Sequence, residues 1–586
     1  MKRQFGQKAA ERRKRRVFDR FWDAIDAVYR SYNRASWARA GFPGDNSRAP
    51  APGRWTGPDA ERRRPDLTRR LLDRLGGPDR GTPSVVVAGS KGKGSTARMI
   101  AGILQAHGFR VGLFTGPHLL HPMERISING VPLPEEDFVH WMDEIDPLVQ
   151  EVVQGIRPDE YIAPVGIYLA VALCAFRKAG TDIDVLECGR GARFDDVAQV
   201  RARWAAVTPV MEEHLKELGP TLADVAWHKA GAIRSGMMAA FAGRQDPEVA
   251  ALLRGEAKAR GVPLRILGQD FFVEEVHLTS KGLWAALTTP GGRRVETTLQ
   301  AVGAFQADNA ALAAAVAEGI LQDQSRRGRR GALWSEVLAA EGLRKVVHPG
   351  RCQILSRNPM ILVDGAVTAA SAAQIRKLIE RWGSRVITIA AVPSDKDYPG
   401  VYRELAPVSD GLVLTRAGNG YFTYPREGAA VARNWYARVE TAQDLGEAWR
   451  VAERWLTQSG KWPARAGVGR LAGGAGEAGS AGEAGVAGQA GAAGELGVAR
   501  HAGEPRVGTR APTAVGPHSL EIEPPVEWVL SGEKGHEGER GILLVGAQPF
   551  VAEVLSFLTG RSQHGSMIND SYANDSPGGG GPGDAR

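Results

Sequence analysis

The residues best suited to chemistry begin with Gly89-Ser-Lys-Gly-Lys-Gly-Ser-Thr96, set between an apolar run and a helix-like segment. Gly89, Gly92 and Gly94 allow tight backbone turns. Successive N–H groups, that of Ser90 among them, then face phosphate oxygens, and the helix that follows adds its positive end. Lys93 is placed to neutralise β- and γ-phosphates, and the hydroxyl of Ser95 or Thr96 to reach phosphate or metal. The strict Walker pattern has Ser or Thr directly after the lysine, whereas Gly94 intervenes here. A plain glycine-rich turn is the competing reading; the strand before and the helix after favour phosphate binding. A second candidate is Glu187, which closes the apolar run at 183–186. A carboxylate at the carboxyl end of a buried strand stands where α/β sheets place their ligands. A surface glutamate is the alternative, but Val185 and Leu186 before it make the position too buried for an idle charge.

The elements that must position these groups follow from periodicity. Residues 83–88 read as a buried strand, 96–107 as its helix closed by Gly108, and 110–114 and 183–186 as further strands. Short apolar runs alternate with longer helix-like segments over 81–345, the signature of a parallel α/β sheet. A second α/β block starts near His348, with strands at 361–364, 386–392 and 411–414 and a helix at 370–382. From 464 to 515 Gly and Ala dominate, with glycine at every third position from Gly473 to Gly497. The triplets lack proline, so a flexible surface insertion fits better than a collagen-like helix. Residues 542–545 read as a final strand and 551–558 as its helix. The expected division is therefore a basic, partly helical extension at 1–80, a central domain at 81–345 and a C-terminal domain at 346–463. The insertion at 464–527, the last strand and helix at 528–560 and a disordered tail at 561–586 follow.

A chain of 586 residues exceeds one ordinary core and fits two to four domains. No apolar run approaches the roughly 18 residues of a membrane span. The basic segment 1–16 is not followed by the apolar stretch of a secretory signal, so a cytoplasmic protein is expected. Cys174, Cys188 and Cys352 lie far apart and form no CxxC pair, which reads as reduced thiols. Much of the net charge of +8 sits in runs such as Arg12-Arg13-Lys14-Arg15-Arg16 and Arg62-Arg63-Arg64. Without interleaved aromatics or zinc-ligand spacing these read as a solvated extension rather than a nucleic-acid surface.

Taken in order, the motifs resemble one family. Ala88-Gly-Ser-Lys-Gly-Lys-Gly-Ser95 is similar to AGTNGKGS, Thr115-Gly-Pro-His-Leu119 to TSPHL and Glu124-Arg-Ile126 to ERI. Leu186-Glu-Cys-Gly-Arg-Gly-Ala-Arg-Phe-Asp195 resembles LEVGLGGRLD, and Val207-Thr-Pro-Val-Met-Glu-Glu-His214 with Leu218-Gly219 resembles ITSIGLDH…LG. His228-Lys-Ala-Gly231 resembles EKAGI, and Gln306-Ala-Asp-Asn-Ala310 resembles QxxNA. Pro349-Gly-Arg351, Asp364-Gly-Ala366 and Ser394-Asp-Lys-Asp397 resemble PGR, DGA and ADKD. These are motifs of the folylpolyglutamate synthase/dihydrofolate synthase family of the Mur ligase superfamily.

The resemblance implies an α/β fold: a P-loop-containing central Mur ligase domain built on a parallel sheet, plus a smaller Rossmann-like C-terminal α/β domain. It implies an ATP- and Mg²⁺-dependent amide ligase, in which a carboxylate acceptor becomes an acyl phosphate that an amino acid's amine attacks. The expected partners are a folate or dihydropteroate and glutamate, with the chain acting as a monomer. The implied catalytic set is Lys93, Glu187, His214 and Lys229. Glu187, His214 and a carbamylated Lys229 are the implied metal ligands. Asn309 would face the adenine, Arg351 the phosphates, and Asp364 the ribose or the cleft between domains, while Asp395 and Asp397 shape that cleft or form a charged turn.

Four positions depart from the pattern. Gly116 replaces the serine of TSPH, Lys91 the asparagine of GTNGKGS, and Asp196-Val-Ala198 the usual Ala-Thr-Asn. Val367 and Thr368 stand where DGAHNP has His and Asn. These changes bear on folate and glutamate more than on the nucleotide. The alternatives are a Mur-type ligase with another acceptor or amino acid, and a nucleotide-binding homologue without ligase activity.

Overall fold

The computed structural model describes residues 2–39, 63–416, 424–458 and 540–559, apart from short breaks at 280–281, 302, 330–331 and 358–359. The expectations for the Pro/Gly-rich stretch at 41–58, the insertion at 464–527 and the tail at 561–586 lie outside the described residues.

The valines of Ser84–Ala88 (β1) are buried throughout, as β-branched residues are in a strand covered on both faces. β1 is followed by Val111–Phe114 (β2), Ile126–Ile128 (β3), Val131–Pro132 (β4), Ile183–Glu187 (β5), Trp204–Val207 (β6), Ala239–Ala242 (β7) and Leu264–Ile266 (β8). They form one sheet in the order β4-β3-β2-β5-β1-β6-β7-β8, parallel except at β3 and β4. The chain passes from β1 to β2 on one side, and the connection from β5 to β6 crosses to the other. The order therefore reverses around β1, and a crevice opens at the carboxyl ends of β5, β1 and β6.

An antiparallel meander follows: Phe272–Thr279 (β9), Gly282–Thr288 (β10) and Arg294–Leu299 (β11). The α/β alternation read over 81–345 did not separate it. Its last strand alternates exposed and buried residues, because one face packs on helices Phe305–Arg326 and Glu336–Arg344 while the other meets water.

The C-terminal sheet comprises Gln353–Arg357 (β12), Met360–Asp364 (β13), Arg385–Ala391 (β14), Ser409–Leu414 (β15), Val439–Thr441 (β16) and Arg540–Gly546 (β17), in the order β12-β13-β17-β14-β15-β16. β17 pairs in parallel with both β13 and β14. The last strand in the chain is thus a central strand of the sheet, and Ile542, Leu543 and Leu544 are fully buried there.

The extension expected to be solvated is partly core. Phe21, Ile25, Val28, Tyr32 and Ala35 recur at helical spacing along Lys2–Arg39 and are buried. Phe21, Ile25 and Val28 join the same hydrophobic cluster as Ala88 and Leu186. The helix packs on Glu135–Val152 and Pro164–Ala179, and the apolar residues all round the latter are explained by burial on every side. Helix Pro65–Arg74 adds Leu67, Leu71 and Leu72. Just before it, Arg63 pairs with buried Asp196 at 2.6 Å, and Thr68 Oγ1 donates to the same carboxylate. Among the described residues no helix is long and apolar enough to cross a membrane.

One buried carboxyl makes stability depend on pH. Asp184 in β5 accepts a hydrogen bond from Thr181 Oγ1 at 2.7 Å, and burial pushes it up to about 7. The folded state favours its protonated form, so this contribution is complete below the ordinary Asp value of about 4 and is lost as pH rises to about 7. Asp184→Asn keeps an acceptor for Thr181 and removes the titration. Urea unfolding at pH 5 and pH 8 should show the variant losing less stability than the parent, by an amount on the order of a few kcal/mol. Equal losses in both would show that Asp184 is ionised in the fold.

Candidate active site

The phosphate loop fits only because two of its residues lack side chains. Gly89 has φ 130°, and a Cβ there would stand 2.0 Å from Thr208 Oγ1. Gly92, at φ 89°, starts helix Lys93–Ala106, and a Cβ on it would stand 2.4 Å from Asn309 Oδ1. Ser90 clasps the loop after β6: its hydroxyl donates to Met211 O at 3.1 Å and accepts from Met211 N at 3.0 Å, and its own N–H donates to Pro209 O. Lys93 folds back over the loop and donates to Gly89 O at 3.0 Å and Ser90 O at 3.1 Å.

The two candidate hydroxyls separate. Thr96 is fully buried and turned toward Asn309, its Oγ1 3.5 Å from Asn309 Oδ1, so it supports the loop from behind. Of the two hydroxyls, that of Ser95 is half-buried at the helix start. Asn309, 4% exposed, packs beneath Gly92 and donates to Gln306 Oε1 at 3.0 Å.

Around this loop the structure gathers charge. Glu187 ends β5, and its Oε2 accepts the Gly116 N–H at 3.0 Å. A Cβ on Gly94 would lie 3.1 Å from the same oxygen. Burial pushes the Glu187 carboxyl above its ordinary range, opposed by the charges of Lys93, Arg98 and Arg351. Lys229 is fully buried and donates to Gly89 O at 2.9 Å, Arg190 O at 2.8 Å and Glu213 Oε1 at 2.9 Å. Burial, then the nearby Lys93, depress it to about 8 against the pull of Glu213. Burial alone would raise Glu213, but Lys229, Lys93 and Lys91 outweigh it and hold it below the usual range. His214 has a left-handed backbone, φ 52°, and a ring 40% exposed, 4.0 Å from Glu217. Burial pushes it to about 4, so it is a neutral imidazole.

Lys93 and Lys229 thus converge on Gly89 while Glu187 faces Gly94 and Gly116 of the same crevice, and His214 lies within the field of Glu213, Lys229 and Lys93. Sequence reasoning missed Glu213, although it directly precedes His214 within a matched segment, and it missed Arg98. Two of the departures find local reasons. Lys91 lies 3.5 Å from Glu213, which offsets its added charge. Gly116 donates its backbone N–H to Glu187, as a serine there would, and nothing in the structure explains the missing hydroxyl. Asp196 is the buried partner of Arg63.

The second unit contributes a turn. Asp364, at the end of β13, is buried and accepts the Cys352 N–H at 2.7 Å, fixing the loop that carries Arg351. Burial raises its carboxyl, opposed by Arg351. Thr368 caps helix Ala369–Arg381 in a reciprocal pair with Ser371. Asp397 accepts from Ala369 N at 2.8 Å and caps Tyr398–Leu405, while Asp395 pairs with Lys396. The charged-turn reading of 395–397 accounts for these contacts.

Among the described residues no group of three His, Cys, Asp or Glu side chains is arranged to hold a metal. Mg²⁺ asks for less: it keeps several waters and takes one or two carboxylates together with substrate phosphates. A buried carboxylate such as Glu187, facing a phosphate loop, fits that requirement.

A family model described as the Mur ligase middle domain matches residues 87–317. The Mycobacterium tuberculosis dihydrofolate synthase/folylpolyglutamate synthase is 32% identical over 419 residues, covering 69% of this chain and 85% of the relative. The solved M. tuberculosis folylpolyglutamate synthase complexed with ADP superposes with a TM-score of 0.65 at 26% identity, covering 86% of this chain and 96% of that one. A folylpolyglutamate synthase–AMPPCP–folate complex gives 0.55 at 26% identity over 67% and 95% of the two chains. The chain belongs to the dihydrofolate synthase/folylpolyglutamate synthase family and is an ATP-dependent carbon–nitrogen ligase.

Proposed function

We propose that this ligase joins glutamate to the carboxylate of a folate or dihydropteroate, working as a cytoplasmic monomer. The observation that carries the reading is the convergence of Lys93, Glu187 and Lys229 on the phosphate loop, which suits phosphoryl transfer to a carboxylate. The relatives' names supply the substrate class.

In this reading the γ-phosphoryl passes to an acceptor carboxylate oxygen, breaking its bond to ADP and forming an acyl phosphate. The amine of glutamate then forms the C–N bond, loses a proton, and phosphate departs. Lys93 spreads charge on the β- and γ-phosphates, loop N–H groups orient them, and Arg351 approaches from the second unit. Asn309, which the resemblance assigns to the adenine, packs beneath Gly92, and Asp364 holds the turn that presents Arg351. Glu187, Ser95, His214 and a carbamylated Lys229 are the residues that would hold Mg²⁺, which when bound supplies charge neutralisation for the phosphoryl group. Lys229 has a neutral fraction near pH 7, as carbamylation requires: its amine bonds to the carbon of CO₂ and releases a proton. The carbamate would face Glu213, two anions that need a cation between them, and Lys91 stands 3.5 Å from Glu213.

A second reading, a non-folate acceptor, is favoured by Thr368. The position where the family pattern has Asn is here spent on a helix cap.

ADP release with glutamate and a panel of carboxylates separates the two. Release with dihydropteroate or folate supports the first reading; release only with other carboxylates supports the second. ATP binding without turnover on any acceptor overturns both. Lys93→Ala removes a charge-assisted contact worth about 1.5–3 kcal/mol, so ATP affinity or turnover should fall at least roughly tenfold. Unchanged values in a folded variant would sink the phosphate role of Lys93.

Lys229→Ala should be nearly inactive and partly restored by small carboxylates that occupy the vacancy. Lys229→Arg should resist rescue, because its permanent cation fills the site. Rescue of neither variant, or full activity of Lys229→Arg, would remove the carbamate.

A further inference from the structure

Arg63 stands outside every motif of the site, in the second arginine run of the basic lead-in. It is 7% exposed, and its guanidinium serves two carboxylates. Its Nη2 lies 2.6 Å from Asp196 Oδ2 and 3.6 Å from Asp195 Oδ2, and both aspartates are buried. Asp196 is particular to this chain, since the family pattern has Ala there. It is wedged between two helices: Thr68 Oγ1 donates to it at 2.6 Å, and a Cβ on Gly166 would stand 2.8 Å from its Oδ1. The backbone of Arg63 is tied in turn to Tyr161 by a parallel bridge, just ahead of helix Pro164–Ala179. The guanidinium therefore acts from a fixed base.

Asp195 carries the effect toward the phosphate loop. Its Oδ2 accepts the Gly189 N–H at 3.2 Å and its Oδ1 that of Val197 at 3.0 Å, so one carboxylate joins the start of the loop after β5 to its end. That loop holds Lys229 from two directions. Arg190 O accepts the Lys229 amine at 2.8 Å, and the N–H groups of Ala192 and Arg193 donate to His228 O at 3.2 and 2.9 Å. The end of the Lys229 helix sits directly on the loop: a Cβ on Gly231 would lie 2.4 Å from Arg193 Cα. Adjacent buried carboxylates repel each other, and a cation bonded to both is what lets them stay together. Without Arg63 the repulsion falls on Asp195, and with it on the closure of the loop.

We propose that Arg63 is a positioning residue of the ligase. By holding Asp195 and Asp196 together it keeps the loop 189–197 closed, and so aims the Lys229 amine at Gly89. This role rests on the one given to Lys229 above and adds to it a residue of the lead-in.

Amide hydrogen exchange on the full chain reads the loop without turnover. In Arg63→Met the segment 189–197 should exchange about tenfold faster than in the parent, while 84–88 and 93–106 keep their parent rates. ADP release, with a carboxylate that the parent accepts, should show kcat lowered about tenfold or more. The KM for ATP should stay within twofold, because Ser90 clasps the phosphate loop from its other side. Arg63→Lys keeps the charge and loses the fork, so it should recover part of both effects. It carries the test alone if Arg63→Met does not fold, its loop still exchanging faster than the parent's. Parent rates of exchange in 189–197 would overturn the proposal. So would faster exchange across the whole central sheet with kcat falling only as the folded fraction falls, which marks a structural ion pair. Faster loop exchange with parent kcat overturns it where Lys229→Arg is inactive. Where Lys229→Arg is fully active, the role of Lys229 fails first and that of Arg63 falls with it.

Discussion

Two ammonium groups share one carbonyl oxygen. Lys93 and Lys229 both donate to Gly89 O, at 3.0 and 2.9 Å. Like charges this close repel strongly in a site poor in water, and the arrangement holds only where carboxylates flank it. Glu213, after β6, bonds Lys229 directly, and Glu187, at the end of β5, feels Lys93 first among its neighbouring cations. The rest of the crevice follows from this. Gly89 lacks a side chain because Thr208 stands against it, β1 lies between β5 and β6, and Ser90 clasps the loop that brings Glu213 within reach. Remove any of these and the two lysines lose the shape that tolerates them.

The balance of charge gives the crevice its chemistry. Lys93, Lys229, Lys91, Arg98 and Arg351 outnumber Glu187 and Glu213. Bound triphosphate would offset the excess, so part of the cost of assembling these cations is met only when the substrate arrives. Such fixed, prearranged charge can favour a transferring phosphoryl group without reorganising at the moment of reaction. The depressed Lys229 and neutral His214 follow from the same condition, since burial among cations disfavours another positive charge.

What the sequence made legible was local. A run of buried valines, a glycine-rich turn and a helix lie within a few residues of one another, so periodicity and turn chemistry reveal them together. The roles that escaped depend on partners far along the chain. Thr96 turns inward because Asn309 lies beneath it, and Glu213 matters because Lys229 reaches it from another helix. The basic lead-in looked solvated because arginines dominate its composition, while the stripe of Phe21, Ile25 and Val28 becomes meaningful only against Pro164–Ala179. Asp196 looked like a departure in a motif, but it is the fixed anion for Arg63. A meander hid within an α/β alternation because its strands are short-range hairpins and carry no βαβ signature.

The C-terminal unit illustrates why sequence distance misleads about function. Asp364 ends β13, and its carboxylate fixes the Cys352 N–H next to Arg351. β13 is itself held by β17, which returns from residue 540 to pair Asp364 with Val545 in register. β14 closes the other side of β17, so this late strand sits where the sheet would otherwise divide. A one-residue slip of β17 would turn its buried side chains to the opposite face and move the strand that carries Asp364. The placement of the turn that carries Arg351 therefore rests on a strand nearly two hundred residues away. That dependence couples the integrity of the second sheet to the charge that Glu187 feels in the first.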